Sequence, residues 1–100
     1  MSCVSIKGFL SKRLVIMKHN WSVYLLRCSN NALYCGVTNN LQRRVHQHNA
    51  GKGAKYTKVF GPVSLVAWKS GFSKKEALKL EYFIKQLPKI KKIPFVEALG

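Results

Sequence analysis

Runs of β-branched and aromatic residues mark three segments of the chain as strands. Residues 21–28 (WSVYLLRC) are followed by turn chemistry in residues 29–32 (SNNA), and residues 33–37 (LYCGV) resume the extended pattern. These two segments therefore predict a β-hairpin. Residues 62–69 (PVSLVAWK) predict a third strand.

Between the second and third strands, the pattern changes to helical spacing. Residues 38–40 offer three polar side chains that can cap a helix, and the helix is expected to run to about residue 49. Gly51 then lies where helices commonly end. Residues 51–58 (GKGAKYTK) are basic and punctuated by glycine, which predicts a loop.

A second helix is predicted after the third strand. Ser73 and Glu76 have the spacing of a capping box, so Ser73 is the expected N-cap, and Pro88 is expected to stop or kink the helix. Residues 89–100 hold a candidate third helix that is broken or opened near Pro94. The order β-β-α-β-α, with this candidate C-terminal helix, predicts an α+β fold: a small three-stranded antiparallel sheet flanked by helices.

The first predicted helix carries charge on its apolar side. Leu41, Arg44, Val45 and His48 occupy positions i, i+3, i+4 and i+7, so Arg44 and His48 flank a narrow apolar stripe. Long polar side chains at such a rim commonly turn outward to solvent, which is one interpretation. The other is that both residues serve a site, because an arginine facing the core needs an anionic partner.

Few carboxylates are present to serve as that partner, since the chain has three acidic residues and the first is Glu76. The capping box accounts for Glu76. Glu81 falls in the middle of the second helix, on the side expected to face the sheet, where a carboxylate must be paired or hold a metal ion. An Arg44–Glu81 salt bridge and a single Mg²⁺ site at Glu81 both fit the pattern, while Glu97, the chain terminus and a bound anion remain further partners for Arg44.

The net charge of +15 is the strongest signal in the composition. Eighteen Lys and Arg residues face three acidic residues, and this excess favours a polyanionic partner, above all nucleic acid. A hydrophobic fraction of 47% indicates a folded domain rather than a disordered tail. No apolar run approaches the roughly 20 residues that span a bilayer, so a membrane protein is not expected.

The hairpin supplies two candidate catalytic phenols. Tyr24 and Tyr34 lie on paired strands and can share one face, and Gly36 permits a close approach of backbone or substrate. Most strand tyrosines are structural, which is the plain alternative. Four lysines and one tyrosine predict a surface that binds the phosphates of DNA: Lys52, Lys55, Tyr56, Lys58 and Lys85.

The three cysteines form no CxxC pair and no zinc-ligand spacing with histidine. This indicates reduced thiols and a cytoplasmic location. Residues 1–19 are basic and lack the apolar stretch of a secretory signal, so they are expected to be a dispensable extension, with Met17 as an alternative start. Residues 20–93 are the predicted domain and residues 94–100 a tail; the sequence specifies no oligomeric state.

Together these segments resemble the GIY-YIG nuclease superfamily, and most closely its small bacterial single-domain members. The two tripeptides correspond to SVY (22–24) and YCG (34–36), ten residues apart. The basic segment 51–58 resembles the loop of the small members, and residues 73–87 resemble the segment that carries the family's glutamate. The resemblance extends over residues 21–92.

The resemblance implies metal-dependent hydrolysis of DNA phosphodiester bonds, on branched or damaged DNA met in repair or recombination. DNA is favoured over RNA, and the cofactor is one Mg²⁺ or Mn²⁺ ion. A nucleoid-associated location follows if the protein is bacterial. The resemblance implies that one or both of Tyr24 and Tyr34 activate the attacking water. It also implies that Arg44 contacts the phosphate and that His48 transfers a proton. Glu81 is the implied metal ligand, and Gly36 is the implied structural glycine.

The chain also departs from the family pattern. Ser22 replaces the first glycine, and Cys35 replaces an apolar residue. A further polar family position corresponds to either Lys55 or Tyr56, and another to Gln86. Two rival functions stand beside the nuclease: a DNA- or RNA-binding module that keeps the fold without cleaving, and a basic structural protein.

Overall fold

The computed structural model describes residues 19–99, and the predicted extension lies outside them except for His19. A three-stranded antiparallel sheet has the order β2-β1-β3, with β1 at its centre. The elements, in chain order, are β1 (Trp21–Arg27), β2 (Leu33–Thr38), α1 (Leu41–Asn49), α2 (Lys55–Val59), β3 (Ser64–Phe72), α3 (Lys74–Lys85) and α4 (Lys89–Ala98). The predicted α+β class and three-stranded sheet are confirmed.

Alternation along β1 divides the core into two layers, because successive strand residues point to opposite faces. Val23 and Leu25 face α3 and α4, where they pack with Ile84 and Val96. The opposite face is a second cluster built on Tyr24, Leu26, Cys28 and Val63, against which α1 packs through Leu41 and Val45. The sheet is therefore covered by helices on both faces.

The helix ends follow capping chemistry. The Asn40 side chain accepts a hydrogen bond from the Arg43 backbone and begins α1. Ser73 and Glu76 form the predicted capping box at the start of α3, with both reciprocal hydrogen bonds present. Hydrogen bonds from the backbone and side chain of Ser73 hold the pKa of the Glu76 carboxyl below its ordinary value.

Two local expectations were wrong. Residues 55–58, expected to be loop, belong to the short helix α2, whose N-cap Ala54 makes no side-chain capping bond and so leaves no signature in the sequence. The third helix is not broken at Pro94, which lies inside α4. The helix continues past it because both neighbouring turns pack: Phe95 lies against Phe83 at 5.1 Å between ring centroids, and Val96 is fully buried. The first five residues of the predicted tail, residues 94–98, thus belong to a helix that packs into the core.

Candidate active site

Tyr24 and Gly36 are opposite each other in the β1–β2 register. The Tyr24 side chain is 1% exposed, and its ring passes directly over Gly36. A Cβ at position 36 would lie 2.4 Å from the Tyr24 hydroxyl oxygen, far closer than any ordinary contact. Gly36 is therefore required by the packing of the Tyr24 ring. The sequence predicted that backbone or substrate would approach Gly36 closely, and in the structure the Tyr24 ring does so.

A chain of buried hydrogen bonds links β1, α1 and α2. Tyr24 Oη lies 3.0 Å from His48 Nε2, and His48 Nδ1 lies 2.6 Å from Thr57 Oγ1. Thr57 Oγ1 donates to the Ala54 carbonyl at 3.0 Å, so its hydroxyl proton is already used. It must then accept from His48 Nδ1–H, which leaves Nε2 unprotonated in the neutral ring and able to accept from the Tyr24 hydroxyl.

Burial sets the resting protonation of this chain. Burial raises the pKa of Tyr24, while hydrogen bonding and charge from Arg44 oppose the rise. Burial, together with the charge of Arg44, lowers the pKa of His48. At neutral pH the resting state is therefore a phenol that donates to a neutral imidazole.

Gly53 fits closely against His48. A Cβ on Gly53 would lie 2.4 Å from His48 Nδ1, so only glycine leaves room for the imidazole at this position. Neither Gly53 nor Thr57 was identified from the sequence as a site residue. Both lie in the basic segment after α1. The sequence feature that could have indicated Gly53 is the pair of glycines in GKG: Gly51 is accounted for by the end of the predicted helix, whereas Gly53 is not.

Tyr34 and Arg44 border the same chain of hydrogen bonds. The Tyr34 ring lies edge-on to the His48 ring, 5.3 Å away between centroids. Arg44 Nη1 donates to Gln47 Oε1 at 3.2 Å, which holds the guanidinium along α1. The structure thus brings four of the predicted residues together on one face of the sheet: Tyr24, Tyr34, Arg44 and His48.

Glu81 lies on the other helical layer. Its helix α3 packs against the sheet face that carries Cys35, and burial with the Glu81 charge raises the pKa of the Cys35 thiol to about 12. Glu81 Oε2 is 3.3 Å from Lys85 Nζ, and the Glu81 side chain is 21% exposed. Within residues 19–99, no carboxylate lies within salt-bridge distance of Arg44, so the Arg44–Glu81 salt bridge is not formed.

The side chains near Glu81 determine whether a divalent cation can bind there. No group of three or more His, Cys, Asp or Glu side chains occurs together in the described part of the chain. A single carboxylate such as Glu81 is compatible with Mg²⁺, because this ion commonly binds through one or two carboxylates and completes its coordination shell with waters and substrate phosphate. Its partner Lys85 is 53% exposed and can turn into solvent, because an i,i+4 ion pair on a helix contributes only about 0.3–0.5 kcal/mol.

The residues predicted to grip DNA are all exposed. Tyr56 on α2 is held by Asn30, whose Nδ2 donates to the tyrosine hydroxyl at 3.0 Å, and by the Phe60 ring at 4.8 Å. The others lie in the loop after α1, on α2 and on α3: Lys52, Lys55, Lys58 and Lys85.

A tyrosine on each hairpin strand, with an arginine and a histidine presented by the following helix, defines the class of domain. The model of the GIY-YIG catalytic domain matches residues 20–93, and the chain belongs to this family. It is 55% identical over 82 residues to UPF0213 protein VPA1222 of Vibrio parahaemolyticus, covering 81% of this chain and 76% of that one. It is 46% identical over 79 residues to UPF0213 protein YazA of Bacillus subtilis, with 79% and 80% covered.

A solved structure supports the fold independently. The solution NMR structure of protein EF2693 from E. faecalis superimposes with a TM-score of 0.53 at 32% sequence identity, covering 80% of this chain and 83% of that one. None of the helices within residues 19–99 has the length and apolar character needed to cross a membrane.

Proposed function

We propose that this protein is a divalent-metal-dependent endonuclease that hydrolyses phosphodiester bonds in DNA. The observation that carries the proposal is the buried chain from Tyr24 through His48 to Thr57, with Arg44 beside the phenol. Gly36 and Gly53 both leave room for this phenol–imidazole pair, since a Cβ on either would lie 2.4 Å from Tyr24 Oη or from His48 Nδ1, respectively.

The proton transfer follows from the resting protonation. Because the Tyr24 phenol is protonated and His48 is neutral, a water that attacks phosphorus passes its proton to Tyr24 Oη as the phenolic proton moves to His48 Nε2. The water oxygen bonds to phosphorus, the bond from phosphorus to the leaving oxygen breaks, and that oxygen takes a proton from solvent. Thr57 keeps the imidazole in the required tautomer.

The remaining residues act on charge and position. Arg44 stabilises the negative charge that develops on the phosphate oxygens, and Tyr34 helps to orient the water beside His48. Glu81 would hold the divalent ion, which supplies Lewis-acid polarisation of the phosphate when bound. The exposed lysines around the site bind the flanking backbone, and the resulting affinity falls steeply with salt. The proposed substrates are branched or damaged DNA met in repair or recombination, which places the protein at the nucleoid in the cytoplasm.

A nicking assay with matched carboxylate variants tests the proposal. Supercoiled plasmid and a panel of nicked, flap, junction and single-stranded DNA are incubated with Mg²⁺ or Mn²⁺. Glu81→Gln should lower the rate by about 100-fold or more, since even residues that only support metal ligands contribute 10- to 100-fold. Glu97→Gln, an isosteric change on the exposed face of α4, should not affect it.

Binding and folding are measured on the same variants. Glu81→Gln should keep the wild-type melting temperature and DNA affinity, because the change is isosteric and removes only one i,i+4 ion pair, whose lysine is 53% exposed. Absence of cleavage of every DNA form by the wild type, with binding intact, would instead identify a binding module that retains the GIY-YIG fold. Full activity in Glu81→Gln would refute the metal-binding role of Glu81.

A further inference from the structure

Two depressions of about 350 Å³ each adjoin at the outer side of β2. β2 is an edge strand of the sheet, and Leu33 at its start lines both depressions. We call this surface the β2-edge groove. Besides Leu33, its lining includes Arg27, Lys89 and Ile90 in one half and Tyr34, Tyr56, Lys85 and Lys92 in the other.

The groove is strongly basic. Four of its lining residues are cationic, and among residues 19–99 neither half is lined by Asp or Glu, although Lys85 is paired with the neighbouring Glu81. Two of the lysines each make one hydrogen bond to a backbone carbonyl, which holds the side chain in place. Lys92 Nζ donates to the Ile84 carbonyl at 2.7 Å, and Lys89 Nζ donates to the Asn31 carbonyl. Each ammonium has three donors, so the others remain for an anionic ligand.

The groove also offers fixed aromatic and apolar surface. Tyr56 is 39% exposed, and its ring is held in place by Asn30 and Phe60. Ile90 is 82% exposed and adds apolar surface to the other half of the groove. A cationic groove with aromatic side chains is the arrangement that binds single-stranded nucleic acid, because phosphates meet the cations and bases stack on the rings.

Unpaired bases are required for this mode of binding. A base inside a duplex has both faces covered by its neighbours, so stacking on Tyr56 requires a base that has left the duplex. The groove begins at the candidate active site, because Tyr34 lines it and also contacts the His48 ring at 5.3 Å. A strand whose phosphate lies at Tyr24 and Tyr34 can therefore continue directly into the groove.

We propose that the β2-edge groove binds a single-stranded arm of DNA that continues from the phosphate at the active site. The substrate class is then DNA with a flap, a splayed end or an overhang, rather than a continuous duplex. The choice of DNA and the position of the phosphate rest on the proposed function, whereas the preference for an unpaired strand rests on the groove itself.

Binding without cleavage tests the groove separately from the nuclease activity. Fluorescence anisotropy is measured in EDTA with the full chain and three labelled probes of equal length: single-stranded DNA, duplex DNA and single-stranded RNA. Ile90→Glu places a carboxylate in the groove at a site too exposed to affect folding. Lys75→Ala, on the exposed surface of α3 and outside the groove, lowers the net charge by the same single unit.

Ile90→Glu should weaken binding of single-stranded DNA by about 10-fold and leave duplex binding within about 2-fold of Lys75→Ala. Tyr56→Ala should weaken it by about 5- to 150-fold, the range for loss of one stacked base. Equal effects of Ile90→Glu and Lys75→Ala on single-stranded DNA would overturn the proposal, as would tighter binding of the RNA probe. A wild type that never cleaves but shows the selective Ile90→Glu effect would refute the nuclease and keep the groove.

Discussion

Replacing Gly53 with alanine gives a direct test of the site geometry. The added Cβ would lie 2.4 Å from His48 Nδ1, whereas ordinary contact begins near 3.4 Å, so the imidazole must retreat by about 1 Å. A shift of that size disrupts the hydrogen bonds from His48 to Thr57 and Tyr24, which are 2.6 and 3.0 Å long. The backbone of Gly53 has an ordinary φ, so conformational strain contributes nothing.

Opposing effects determine the magnitude. Overpacking a buried site costs about 1–3 kcal/mol, and a buried polar group left without its partner costs about 1–3 kcal/mol. Loss of glycine freedom in the unfolded chain stabilises by only about 0.4–1 kcal/mol. Gly53→Ala should therefore lower the free energy of unfolding by about 2–4 kcal/mol, which corresponds to a fall in Tm of about 10–25 °C for a domain of this size.

A double-mutant cycle separates the contact with His48 from any general effect on the loop. Urea unfolding is followed by far-UV circular dichroism for wild type, Gly53→Ala, His48→Ala and the double variant. Once the imidazole has been removed, Gly53→Ala should be neutral or slightly stabilising, so the two changes should couple by at least about 2 kcal/mol. Equal destabilisation by Gly53→Ala in both backgrounds would refute the reasoning.

Two further predictions concern titrating groups. The folded pKa of His48 is lowered by burial and by Arg44, so below about pH 6.5 the unfolded chain binds a proton that the folded chain resists. The free energy of unfolding should therefore fall as pH drops from 7 to 5, and His48 can contribute at most about 1.4 kcal/mol per pH unit to this fall. His48→Gln should make the free energy of unfolding less dependent on pH. An equally steep pH dependence in His48→Gln would contradict the role given to His48. The Cys35 thiol has a pKa of about 12, so only about 10⁻⁴ of it should be ionised at pH 8. Iodoacetamide should therefore label Cys35 far more slowly in the native protein than in urea, and mass spectrometry measures both rates. Labelling at equal rates would show that Cys35 is not buried.

The sequence predicted the fold wherever local chemistry and packing agreed. The hairpin has both strands rich in β-branched and aromatic residues and a turn between them, and α3 begins at a capping box that is present in full. The short helix α2 has no capping side chain and was missed. α4 continues through a proline because the apolar residues beyond it are buried, and this is a tertiary effect that a helix-breaking rule does not contain.

The candidate site was predictable only in part for the same reason. Tyr24, Tyr34, Arg44 and His48 were selected by strand register and helical spacing, which are local. Thr57 contacts His48 across nine residues through a loop and a separate helix, so no periodicity links them. The salt bridge left open between Arg44 and Glu81 also depends on which sheet face each helix covers, and α1 and α3 cover opposite faces.

This separation of the two helical layers limits where a substrate can react. Tyr34 and Cys35 are adjacent on β2 and point to opposite faces, the first toward His48 and the second toward Glu81. A phosphate above the middle of the sheet could meet only one layer. β2 is an edge strand, so a phosphate at its outer side can meet the phenols of one layer and the carboxylate of the other. The edge that the proposed DNA strand follows is thus also the place where the proposed catalytic residues and the proposed metal ligand can act on one phosphate.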